Sequence, residues 1–289
     1  MSFKIFTDSS CNLTVEMMED LGVISKSLTL VIDGAEMKDY LTDKNFSYKE
    51  FYDKLRNKEN IKTSLINVEE FTEAFEGILS SGEDVLAIIF SSGISGTYQA
   101  AKIAADDLSE KYPERKIIVI DSLSASIGHG LLVYYAAMLE REGKTIDEVA
   151  QFVNDNRLKM VHKFTVDDLF FLKRGGRLSG GVAIIGTILQ IKPLLHVNDE
   201  GKLIAQDKVN GRKKSLNNIF EEFKRNVVDP ENQVVAICHG DCIDDAEYLA
   251  NKIRSECKVK DIIINYCDPV LGAHAGPGVV ALFYFADKR

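Results

Sequence analysis

Ser91-Ser92-Gly93-Ile94-Ser95-Gly96 gathers three hydroxyls and two glycines into one short turn. The residues before it, from Asp84 to Phe90, are rich in Ile and Val, as a buried strand is. After it an alanine-faced helical pattern runs to Leu108. At such a junction free N–H groups, hydroxyls and the positive end of the helix dipole face one spot, and small residues let a ligand come close. That chemistry suits an anion, either a carboxylate or a phosphate. Ser95 is also placed to cap a helix beginning at Gly96. Capping accounts for one serine, not for Ser91, Ser92 and the glycines beside it, and a capping hydroxyl can still donate to an anion.

Three further clusters carry chemistry. Gly272-Ala273-His274-Ala275-Gly276-Pro277-Gly278 holds a histidine among tiny neighbours, whose glycines point to close backbone approach or positive φ. An imidazole there can donate to a carboxylate or act as a general base; the plain alternative is an unusual turn with an incidental histidine. Lys62-Thr63-Ser64 offers hydroxyls just before a predicted helix start, although both residue types are common in loops. Lys173-Arg174-Gly175-Gly176-Arg177-Leu178-Ser179-Gly180 sets glycines among cations, suited to an anion or a rigid turn. It is followed by no Walker lysine pattern, and no GxGxxG follows the first strand, which disfavours nucleotide enzymes of those two types. Of the other histidines, His129 and His196 read as packing residues, His162 is unremarkable, and His239 is a weak candidate at a strand end. Ser95 and His274 would be the pair of a serine-dependent esterase or thioesterase, but no GxSxG elbow and no acidic partner accompany them. A binding module for some other small anion is a third reading.

The elements that must position these residues alternate. Strands are predicted at 4–7, 23–32, 84–90 and 116–121. Helices are predicted at 15–21, after the Ser47…Glu50 and Asn67…Glu70 capping patterns, at 96–108, from Ser124 to near Glu142, and after Thr145…Glu148. This predicts a parallel sheet with helices on both faces, with ligands beyond the carboxyl ends of the strands. Three hydroxyl-rich turns, at Asp8–Ser10, 91–95 and 121–124, are expected to converge there. The second half reads as a mixed sheet: strands at 192–197 and 202–207 flank the hairpin turn Asn198-Asp199-Glu200-Gly201, and helices at 214–227 and 244–254 alternate with strands at 233–238, 261–265 and 279–285. The fold class is therefore α/β in two domains, residues 1–161 carrying the hydroxyl-rich loops and residues 162–289 a mixed sheet.

The 289 residues, 45% hydrophobic and 27% charged, have the composition of an ordinary soluble protein with a substantial core. A formal charge of −9 argues against nucleic acid, because the basic clusters are too short to form a track for phosphates. No signal-peptide pattern and no membrane-length apolar run is present. Five scattered cysteines without metal-site spacing read as reduced, buried thiols of a cytoplasmic protein.

Taken in order, FTDSSCNL, KTSLINVEEF, FSSGISGTYQAA, VIDSLSASIGHGLLV, DDLFFLKRGGRLSG, LQIKPLLHVNDEGKL, GRKKSLNNI and GAHAGPGVVALFYF resemble the DegV family of bacterial proteins along almost the entire chain. The resemblance implies two α/β domains and a non-catalytic, cofactor-free carrier. Its ligand would be a long-chain fatty acid such as palmitate, presented to a separate ATP-dependent fatty acid kinase that makes an acyl phosphate for lipid synthesis. Transient membrane contact goes with that role. Thr63 matches the family's threonine before the second helix and Ser95 its SGTY serine, both of which contact the carboxylate. His274 matches the histidine of the GAHxGPG loop, and Arg212 the arginine of the GRKK stretch near the ligand mouth. With the Gly96 amide, Thr63, Ser95 and His274 would hold the carboxylate; Arg212 and Ser92 would lie near the head group or the partner's phosphate. Ile66 departs from the pattern, standing where the family usually has proline. The apolar positions Ile127, Leu131, Leu132 and Tyr135, and Ile184, Ile185, Ile188 and Leu189, are candidates to line the tail or to be plain core.

Overall fold

The structure, a computed structural model, describes residues 2–38, 40–179 and 190–289. The first half is built on β1 (Phe3–Asp8), α1 (Val15–Leu21), β2 (Ile24–Lys26), β3 (Thr29–Ile32), β4 (Ala35–Met37), α2 (Tyr48–Arg56), β5 (Ile61–Ser64) and α3 (Val68–Ser80). Then come β6 (Asp84–Ile89), α4 (Thr97–Lys111), β7 (Ile117–Asp121), α5 (Ser126–Arg141) and α6 (Ile146–Asn156). Four of these strands form a parallel sheet in the order β2-β1-β6-β7, as the alternation predicts. The Asn67/Glu70 and Thr145/Glu148 pairs close full capping boxes, whereas Ser47 accepts from the Glu50 amide without the reciprocal bond.

One predicted strand divides. Residues 23–32 break at Ser27-Leu28, where the Leu28 amide donates to Ser9 Oγ at 3.0 Å. β2 stays in the parallel sheet, while β3 leaves it to form a small antiparallel sheet, β4-β3-β5. The segment carrying Thr63, read from sequence as a loop, is an edge strand of that sheet.

The second half contains β8 (Met160–Thr165), α7 (Phe170–Arg174), β9 (Leu178–Ser179), β10 (Ile191–Val197), β11 (Leu203–Asn210), α8 (Arg212–Asn226) and β12 (Val234–His239). α9 (Ile243–Glu256), β13 (Asp261–Tyr266), α10 (Pro269–Ala275) and β14 (Val280–Phe285) complete it. Seven strands make a mixed sheet, β13-β12-β14-β8-β10-β11-β9. β8 belongs to this sheet as a whole, so a boundary at 161/162 runs through a strand.

Strand alternation sorts the core. On β12 and β14, Val235, Ile237, Val280, Leu282 and Tyr284 pack with Leu216, Phe220, Leu249 and Ile253 of α8 and α9. Ala236, Cys238, Ala281 and Phe283 face the other way, toward the larger core shared with the first half. The space between the halves is thus walled by one face of a sheet.

Candidate functional site

That inner face borders a cavity of about 300 Å³. Its walls are Phe164 of β8, Val197 and Leu203 flanking the hairpin turn, Ala281 and Phe283 of β14, and Phe90 and Ile94 beyond β6. The exposed residues Ser64, Leu65 and Gly96 mark its solvent end, and the buried Ser126, His162, Cys238 and Cys267 its inner end.

The three turns expected to converge do so through hydrogen bonds. The Phe90 amide donates to Asp8 Oδ2 at 2.8 Å, Ser91 N to Ser124 O at 3.1 Å, and Ser92 N to Asp121 Oδ1 at 3.1 Å. The 91–96 turn is also held from across the cavity. Ser91 Oγ donates to Gly201 O at 2.8 Å, and a side chain at Gly93 would lie 2.5 Å from Glu200 O. Gly201, at φ +71°, completes the hairpin turn read from sequence and leaves no room for a Cβ against Ser91. On its other side this hairpin meets Arg289, whose Nε lies 3.7 Å from Asp199 Oδ1.

Ser95 is half-buried and lines the cavity. α4 starts at Thr97 rather than Gly96, with Gly96 as a cap that offers backbone only. Ser95 Oγ accordingly meets Thr97 Oγ1 at 2.8 Å and accepts from Thr97 N at 3.3 Å. Ile66 is fully buried, so where the resemblance leads one to expect proline an apolar anchor fixes the link between β5 and α3.

His274 comes from the last turn of α10. This helix begins with Asp268 accepting from the Val270 amide at 2.9 Å and with Pro269 in its first turn, and it ends at Gly276 with φ +79°. Asp268 is fully enclosed, and burial pushes its carboxyl up to about 7. Tyr40 Oη donates to its two oxygens at 3.2 and 3.0 Å. Thr63 Oγ1 and His274 Nε2 lie 2.8 Å apart. Burial, with Arg177 and Arg174 nearby, pushes the imidazole down to about 4, so it is neutral at pH 7. Gly175 packs so closely on His274 Nδ1 that a side chain there would collide with it. His274 is therefore paired with Thr63, not with Ser95 as a hydrolase would require.

Thr63, Ser95, Gly96 and His274 all line one cavity. Ser92 and Arg212 lie off its wall. Ser92 is exposed. Arg212, at the start of α8, donates from Nε to Asp245 Oδ2 at 2.8 Å, with Nη1 at 3.8 Å from Asp167 Oδ1. Arg177 does line the cavity; its cluster was legible in sequence as an anion contact, but the residue was not singled out.

His162 is the other surprise. It lies on the cavity face of β8, with Nδ1 3.0 Å from Met160 O and Nε2 accepting from the Ala125 amide at 3.3 Å. Burial first, and then Arg289, hold it well below the usual imidazole range. A neutral ring with both nitrogens engaged presents carbon to the cavity. No local signal marks it: the two-residue period it shares with Phe164 does not say which face of the strand meets a cavity. Ile127, Leu131 and Leu132 are core rather than cavity wall, and Tyr135 Oη instead accepts from the Val234 amide at 3.0 Å. Ile184, Ile185, Ile188 and Leu189 lie outside the described residues. Of the five free thiols three are buried; Cys242 and Cys257 are only half-buried, a correction to the sequence reading. Among the described residues no helix is long and apolar enough to cross a membrane.

Comparison with known proteins agrees with this architecture. The family model described as "DegV: Uncharacterised protein, DegV family" matches residues 2–287. DegV domain-containing protein CPE0026 of Clostridium perfringens is 45% identical over 287 residues, covering 99% of this chain and 98% of that protein. Among solved structures, a fatty acid binding DegV family protein from Streptococcus agalactiae is 32% identical with a TM-score of 0.86, each chain covered in full. A DegV family protein from Thermus thermophilus, described by its fatty acid binding, is 28% identical with a TM-score of 0.89, covering 99% of this chain and 100% of its own. Identity that spans essentially the whole length, together with the shared mixed α/β architecture, places the chain: it belongs to the DegV family.

Proposed function

We propose that this chain binds one long-chain fatty acid, with the tail in the cavity and the carboxylate at Thr63, Ser95, the Gly96 amide and His274. It then presents that carboxylate to a separate ATP-dependent fatty acid kinase. The observation that carries the reading is the layout of a single cavity: hydroxyls, an imidazole and the charged Arg177 toward the exposed rim, aromatic and aliphatic walls behind them, and, among the described residues, no charged group at the inner end. Burying a saturated chain is worth ~0.8 kcal/mol per methylene, so about fifteen methylenes supply roughly 12 kcal/mol before association costs. A carboxylate dragged in unpaired would cancel much of that. Donors at the rim remove the penalty, and a carboxylate beside His274 favours its protonated form. The solved relatives named for fatty acid binding support the same ligand class.

Native mass spectrometry of the purified chain with added palmitate tests the first half. A one-to-one complex is expected; a chain that stays unliganded overturns the reading. For the second half, ATP-dependent acyl phosphate formation by a fatty acid kinase should require the loaded chain. Hydrolysis of acyl esters abolished by Ser95→Ala would instead favour an esterase, which the Thr63–His274 pairing argues against.

A further inference from the structure

Two of the five cysteines meet on the cavity wall. Cys238 lies on β12, and Cys267 directly follows the neighbouring parallel strand, where its amide donates to His239 O at 2.7 Å. Both thiols line the cavity and are almost closed to bulk water, at 1% and 3% exposure. They are not equivalent. Their sulfurs lie near enough for each to shift the other's titration. The Ser126 hydroxyl, shared with Asn12, reaches Cys238 Sγ at 3.3 Å. A sulfur receiving a hydroxyl donor is stabilised as thiolate; the sulfur beside it is poised to resolve an oxidised neighbour.

From this arrangement we infer a second activity: a fatty-acyl hydroperoxide seated in the cavity is reduced to its alcohol by Cys238, with Cys267 as the resolving thiol. The inference rests on the reading of the cavity as an acyl-chain site. The Cys238 sulfur attacks the terminal peroxide oxygen; an S–O bond forms, the O–O bond breaks, and the departing alkoxide takes the thiol proton to become the hydroxy fatty acid. Cys267 then attacks the sulfenic sulfur; an S–S bond forms, the S–O bond breaks, and hydroxide leaves as water with the Cys267 proton. One hydroperoxide and two thiols give one alcohol, one disulfide and one water. Cys267 beside it holds the Cys238 thiol below its ordinary range against the opposing pull of burial, and the same pairing, with burial, pushes Cys267 well up. Oxidants dissolved in water meet two enclosed sulfurs, whereas an acyl chain is carried to them.

The test is to add one equivalent of linoleic acid hydroperoxide to the reduced full chain and follow hydroxy-acid release, intact mass and peptide disulfide mapping. Expected are loss of two hydrogens, a Cys238–Cys267 link, slowing by excess palmitate, and a rate at least about tenfold above that with hydrogen peroxide. Cys267→Ser should stop at a sulfenic acid on position 238 that dimedone captures, and Cys238→Ser should yield no hydroxy acid, both variants keeping the parent's far-UV circular dichroism. A chain that binds palmitate and the hydroperoxide normally but leaves the peroxide intact overturns this inference alone. Equal rates with hydrogen peroxide, or oxidation mapped to Cys242 or Cys257, overturn it too. A chain that binds neither acid overturns both this inference and the fatty-acid reading.

Discussion

Thr63 Oγ1 and His274 Nε2 share a 2.8 Å hydrogen bond across 211 positions of sequence. The contact ties the edge strand of the small sheet to the end of α10, so the end of the cavity proposed to take the carboxylate is assembled by tertiary structure alone. A carboxylate arriving there must share or displace this bond.

Thr63→Val, Ser95→Ala and His274→Ala should each weaken palmitate binding about tenfold, the loss of one hydrogen bond of roughly 1–2 kcal/mol to a charged acceptor. Calorimetric titration beside far-UV circular dichroism is the check. Unchanged affinity in Ser95→Ala and His274→Ala together would remove the head-group assignment.

His274 also sets a pH dependence. Its ordinary value is 6.5, and burial pushes it down to about 4, so between those values the unfolded chain holds a proton that the folded chain refuses. The stability from this group is complete above 6.5 and is lost as pH falls through about 4, at most about 3 kcal/mol. Asp268 acts oppositely: its carboxyl, pushed from 3.8 up to about 7, stabilises at low pH and loses that contribution as pH rises through 7. The comparison that isolates His274 is urea unfolding of the parent and His274→Gln from pH 4 to 7. The parent should lose stability relative to the variant on acidification; parallel curves would contradict the burial argument.

Gly201→Ala should lower the melting temperature by roughly 4–8 °C, or about 2 kcal/mol. The new Cβ meets Ser91 and takes a strained positive φ. Because Val197 and Leu203 flank the same turn, palmitate binding should weaken as well. A variant that melts like the parent would mean that the hairpin does not rest on the 91–96 turn.

Arg212→Ala should leave palmitate affinity within about twofold, since the side chain lies off the cavity and its loss removes partly exposed ion pairs. Acyl phosphate formation with a fatty acid kinase should fall at least about tenfold if this guanidinium faces the transferred phosphoryl group. Full coupled activity would return Arg212 to a purely structural role.

Much of this was legible in sequence because local rules decided it. Capping residues fixed the starts of α3 and α6, and the Asn198–Gly201 turn fixed the β10–β11 hairpin. Strand-end serines marked the loops that meet at the cavity. Other features depend on long-range packing. β8 was not read as a strand at all, and nothing local said that its His162 face, rather than its Val161 face, would look into a cavity. The division of 23–32 between two sheets depends on Ser9 bonding to the Leu28 amide. Ser92 shares its serine-rich turn with Ser95, but the turn aims only one of them inward. Helix α5 is apolar on so many sides that its residues could be read as tail contacts, whereas Ile127, Leu131 and Leu132 fill the core.

The resting of the Glu200–Gly201 tip on Ser91 and Gly93 has a kinetic consequence. Its flanking strands and the turn beneath it supply opposite walls of the same chamber, so an acyl chain held as proposed would leave quickest when those two parts separate. Departure would then be timed by protein opening more than by lipid solubility, and the proposed hand-over would answer to whatever pries that seam apart.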